Sequence, residues 1–182
     1  SVEERLRELI ESHRRVIEKV ERDSRRTIRS HEEVIKEVKK ISEDTLREIR
    51  KVIEEAKKRG VPDDELRELL KRLKEHSEEL KRRLEESLKD LKRHSDELRK
   101  RLEESLRRLK KLIEELRRAD SRDETLLRDA ERRVEELNEE IRRLLEKHVR
   151  DVDRLNKEIR DLAREHKERA EEIIKRIEEK AR

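Results

Sequence analysis

Apolar residues return along this chain at spacings of three and four, with charged residues filling most positions between them. That spacing places one face of an α-helix against a core and the rest in water. His13, Val16, Ile17, Val20, Ser24 and Thr27 form one such stripe, and the same six residue types return 18 residues later as His31, Val34, Ile35, Val38, Ser42 and Thr45. Val134, Leu137, Asn138, Ile141 and Leu144 return as Val152, Leu155, Asn156, Ile159 and Leu162, and His148 returns as His166. The segment from His76 to Lys111 is a single 18-residue unit written twice, identical at 12 of 18 positions. Eighteen residues in five turns is a period of about 3.6, that of a straight helix, whereas a heptad would impose a left-handed supercoil.

Two breaks interrupt the pattern. "RGVPDDE", Arg59 to Glu65, holds the only glycine and the only proline. Gly60 suits a helix C-terminus, Pro62 the first turn of the next helix, and the acidic residues after it the positive end of the helix dipole. "RADSRDE", Arg118 to Glu124, is the second break, with Ser121 and Glu124 spaced as a capping box; Ser1 and Glu4 are spaced the same way at the start. Three helices are predicted, about 2–59, 62–119 and 122–181, each spanning roughly 85 Å at 1.5 Å per residue. Short connections force neighbouring helices antiparallel. The expected fold is all-α: one up-down-up three-helix bundle over residues 1–182, with long, nearly straight helices.

The polar residues on the apolar stripes fall into layers. Counting residues from the connections near 60 and 120 puts Thr27, His94 and His148 at one height, and Thr45, His76 and His166 at another, with Ser24 and Ser42 one turn away. The same count groups His13 with Ser105 and Asn138, and His31 with Ser87 and Asn156. All six histidines are thereby given donors or acceptors at matching heights. A buried polar group without a partner costs about 1–3 kcal/mol, and placement at matched heights has the form of connected networks. Two blander readings accompany this one: the histidines are half-exposed flank residues, or the layers only fix register.

Composition removes several function classes. Charged residues make up 58% of the chain, which alone would suit disorder; the periodicity argues against that. Aromatic residues, Met and Cys are absent, so disulfides and thiol chemistry are excluded. The 55 basic and 51 acidic residues are interleaved, a solvated surface rather than a basic patch for nucleic acid. No stretch approaches 18 continuous apolar residues, no signal-peptide pattern is present, and without Trp or Phe a membrane role is disfavoured at neutral pH. No Ser–His–acid arrangement or cleft is implied, so neither an enzyme nor a small-molecule substrate is expected. His94 with His148, and His76 with His166, offer two imidazoles each to Zn²⁺. A structural site takes four ligands and a catalytic site three. No carboxylate lies at those seam heights, so no metal or other cofactor is expected.

The repeated histidine, serine and asparagine positions on Leu/Ile/Val seams, together with the missing aromatics, resemble computationally designed helical bundles with buried hydrogen-bond networks. The resemblance covers the whole chain and is closest to designs that use network histidines to respond to pH. It implies a homo-oligomer or filament, held at neutral pH and disassembled by acid, with no natural cellular compartment and a soluble, cytoplasmic product on recombinant expression. The implied switch residues are His13, His31, His76, His94, His148 and His166, partnered by Ser24, Thr27, Ser42, Thr45, Ser87, Ser105, Asn138 and Asn156. Related designs often place histidine between chains, whereas here one chain can complete every layer. Protonation is expected to penalise each buried ring and to remove its acceptor nitrogen. The alternative is a monomeric designed scaffold whose layers fix register only. A natural spectrin-like spacer is a further alternative. Apolar residues that depart from the repeat, Ile41 and Val149 with Leu126, Leu145, Ala163 and Ala170, are candidates for a contact between copies or for ordinary core edges.

Overall fold

The computed structural model describes residues 2–119 and 124–182. Helix α1 spans Val2–Lys58, α2 spans Asp63–Arg118 and α3 spans Glu124–Lys180. Each has at least one acidic residue in its first turn and at least one basic residue in its last, matching the sign of the helix dipole at both ends. The predicted boundaries shrink by one residue at the end of α1, at both ends of α2 and at the end of α3, and the predicted start of the third helix at 122 lies outside the described residues. Ser1 and Ser121, the serines of the two capping boxes, lie outside the described residues.

The first connection follows from its two special residues. Gly60 has φ +84, a left-handed conformation that costs an L side chain energy and glycine little. Its N–H donates to the Lys57 carbonyl, and the Val61 N–H donates to the Ala56 carbonyl, both at 3.1 Å. This is the Schellman pairing, and Val61 shares an apolar cluster with Ala56, a contact that often accompanies that motif. Pro62 does not lie inside the second helix. Its carbonyl accepts from Leu66 N–H at 3.4 Å, which makes it the capping residue before Asp63.

Packing resolves the chain into two compact units, each built from all three helices: residues 1–28 with 91–152, and residues 29–90 with 153–182. In the first, Leu6 clusters with Leu116 and Leu127, while Val16, Ile17 and Val20 cluster with Leu98, Leu102 and Ile141. Residue numbers rise along α1 and α3 as they fall along α2, the signature of antiparallel neighbours. In the second unit, Val34, Ile35 and Val38 meet Leu80, Leu84 and Ile159, and Ile49 and Ile53 meet Leu66, Leu69, Leu73 and Ile173. The fold is a three-helix bundle, with α1 packing most against α3.

Each buried Leu or Ile contributes about 1.5–3 kcal/mol. Among the described residues the buried apolar side chains group into five clusters, two of which meet through Leu9 and Leu112. The candidate flank residues of α3 separate on burial. Ala163 and Ala170 are core, Leu145 packs partly against the core, and only Leu126 stands exposed. Ile41 and Val149 are half-buried. Leu88 and Leu106, repeat counterparts on α2, are the other exposed large apolar residues among those described.

Candidate functional site

Between the Val16–Val20 cluster and the Leu109–Val134 cluster of the first unit lies a polar layer made by one side chain from each helix. His13 has no solvent exposure. An amide oxygen only accepts, so the His13 Nδ1–H donates to Asn138 Oδ1, at 2.7 Å. That leaves Nε2 as the acceptor, facing the Ser105 hydroxyl at 3.1 Å. Asn138 and Ser105 are buried as well. The second unit repeats the arrangement: His31 Nδ1–H donates to Asn156 Oδ1 at 2.6 Å, and the Ser87 hydroxyl donates to His31 Nε2 at 2.8 Å. Both triads are those counted from the sequence.

These triads modify the expectation that protonation breaks a bond. A hydroxyl carries one donor and two lone pairs. Once Nε2 gains a proton, the serine can turn and accept. What opposes charge on His13 is burial, which holds the ring below the usual histidine range, with the Asn138 hydrogen bond acting in the opposite direction.

The other two histidine pairs behave differently. His94 and His148 come together in the first unit, and His76 and His166 in the second, but neither pair is joined by a hydrogen bond among the described residues. His148 and His166 are buried, and both nitrogens of each ring lack a hydrogen-bond partner among the described residues. Burial lowers the pKa of His148, the neighbouring His94 adds to the effect, and Asp151 opposes it. Burial also lowers that of His166, followed by His76 and then Arg169.

The threonines at these heights do not bond to the histidines. Thr27 donates to the Asp23 carbonyl at 2.8 Å and Thr45 to the Ile41 carbonyl at 2.7 Å, each within its own helix. A threonine hydroxyl has an acceptor one turn back at no cost in reach, and that local bond wins over a partner on another helix. Ser24 and Ser42 are half-buried. Ser77 and Ser95, which the layer count missed, have buried hydroxyls without partners among the described residues. The signal for them was in the repeat, where each directly follows a seam histidine.

The expectation that no carboxylate shares these heights is overturned. Asp151 Oδ2 lies 3.9 Å from His94 Nδ1. Asp151 sits three residues after His148, on the neighbouring edge of the same helix face. It borders one cavity with both histidines, about 340 Å³ in volume. In the second unit the residue 18 positions on is Arg169, whose guanidinium donates to His76 Nδ1 at 2.7 Å. The two histidine pairs are therefore copies with opposite charges beside them.

No described helix is long and apolar enough to cross a membrane. No protein-family model matches the chain, and neither a curated protein nor a solved structure does.

Proposed function

We propose that this chain is a de novo designed structural subunit that self-assembles at neutral pH and is destabilised by acid through its buried histidines. The observation that carries the reading is the duplicated triad of His13 and His31, each without solvent exposure and each tying all three helices through neutral partners. An imidazole is the side chain whose ordinary pKa lies within the physiological range. His13 and His166 titrate below 6.5 in the folded chain because burial penalises the cation. The unfolded or separated state then binds more protons than the folded one. Stability is full above 6.5 and falls as the pH drops through 6.5 toward the folded values. Around His13 the partners are uncharged, and around His166 the neighbours are His76 and Arg169, neither of which offers a new cation a counter-charge.

Exposed Leu88, Leu106 and Leu126 are apolar surface available to a contact between copies. A titration from pH 8 to pH 4, following particle size and helicity, tests the whole reading. The parent should shrink or unfold in acid, and a variant with all six histidines replaced by Asn should not. Equal behaviour of the two would reject the histidines as the switch.

A second reading is a monomeric scaffold whose layers set register alone. It is favoured by the closure of both triads within one chain. Light scattering at neutral pH separates the two: particles larger than one chain support assembly, and a monomer supports the scaffold.

A further inference from the structure

We propose that His94, His148 and Asp151 form a binding site for one divalent transition-metal ion, with Zn²⁺ and Co²⁺ as representative occupants. Two imidazoles and a carboxylate are a donor set such ions take, leaving a fourth position for water. His148 is 4% exposed, borders the cavity, and has two ring nitrogens without hydrogen-bond partners among the described residues. A buried polar group without partners is costly, and a ligand that engages one of its lone pairs removes part of that cost. His94 approaches from α2 with Nδ1 3.9 Å from Asp151 Oδ2, and its side chain is 27% exposed, so it is free to turn toward an entering ion. Glu97 borders the same cavity and can supply a further oxygen; Lys100, Arg101 and Lys147 border it too, and Glu104 is held by the Arg108 guanidinium at 2.9 Å. Among the described residues no three such groups already stand at coordinating distance. The site closes around the ion, and the movement falls to His94.

The second unit supplies an internal control. His76 and His166 repeat the imidazole pair, but Arg169 stands where Asp151 would be. Its guanidinium donates to His76 Nδ1, the nitrogen whose counterpart in His94 faces Asp151, and adds a positive charge beside it. The chain should therefore bind one ion, not two.

Metal binding is separable from any acid response, because it is read as binding rather than as assembly. Isothermal titration of the 182-residue chain with Zn²⁺, and visible absorption with Co²⁺ at pH 7.5, would measure it. One ion per chain is expected, with Co²⁺ showing the absorption of a nitrogen- and oxygen-ligated ion of low coordination number. Asp151→Asn should weaken binding at least about tenfold while leaving helicity unchanged, because removing a ligand costs at least what removing its support does. His76→Asn should leave binding intact, and Arg169→Asp should raise the stoichiometry to two. Absence of Co²⁺ absorption, equal affinity in Asp151→Asn, loss of binding in His76→Asn, or a stoichiometry that stays at one in Arg169→Asp would each overturn the assignment.

Discussion

Asn138→Ala removes the oxygen that accepts the His13 Nδ1–H, in a layer where His13 has no exposure and Asn138 has 6%. The ring cannot recover by changing tautomer. With the proton on Nε2 it would donate to Ser105, and Nδ1 would become an unpaired acceptor instead. Either way one buried polar atom is isolated, at about 1–3 kcal/mol. Replacing the whole layer with apolar residues, His13→Leu with Ser105→Ala and Asn138→Val, isolates nothing. That triple variant should match the parent to within about 1 kcal/mol or exceed it, since an apolar replacement of a satisfied polar group is nearly neutral.

Guanidinium unfolding at pH 7.5, read as midpoint and slope, distinguishes these outcomes. Asn156→Ala in the second unit should reproduce the single-site cost, because its geometry repeats to within 0.1 Å in the bond from the ring to the amide, 2.6 against 2.7 Å. At pH 5 the parent should be less stable than at pH 7.5. The triple variant should lose less over the same interval, having shed the penalty of charging His13. A single variant as stable as the parent would refute the reasoning, because the layer would then not be satisfied as described. So would a triple variant as damaged as the single, since the network would then contribute net stability rather than only avoid a cost.

His166→Leu should stabilise the chain by about 1–3 kcal/mol at pH 7.5, and by more in acid, because it removes two unpartnered ring nitrogens and a suppressed titration; a lower melting temperature would count against it. Gly60→Ala should cost about 1–2 kcal/mol in unfolding experiments from conformation alone, since nothing lies within 4 Å of the added Cβ while φ is +84. Leu88→Lys with Leu106→Lys should reduce particle size at neutral pH with helicity preserved, and unchanged scattering would exclude these residues from any contact between copies.

Three helices, their antiparallel order and both His–Ser–Asn triads were legible in the sequence for one reason. A helix rises by a constant amount per residue, so counting from a connection measures height along a neighbour. Gly60 was legible because only one residue type adopts a positive φ cheaply. Height, however, says nothing about rotation around each helix axis or about which rotamer a side chain takes. Thr27 and Thr45 sit at the counted heights, yet their hydroxyls bond to carbonyls of their own helix. His148 and His166 sit there as well, buried and unbonded. Asp151 and Arg169 lie off the repeated apolar stripe, among the charged positions of the sequence. Only the crossing of α2 against α3 decided that one approaches His94 as a carboxylate and the other covers His76 as a guanidinium, because that approach depends on azimuth, which a residue count along one helix does not contain.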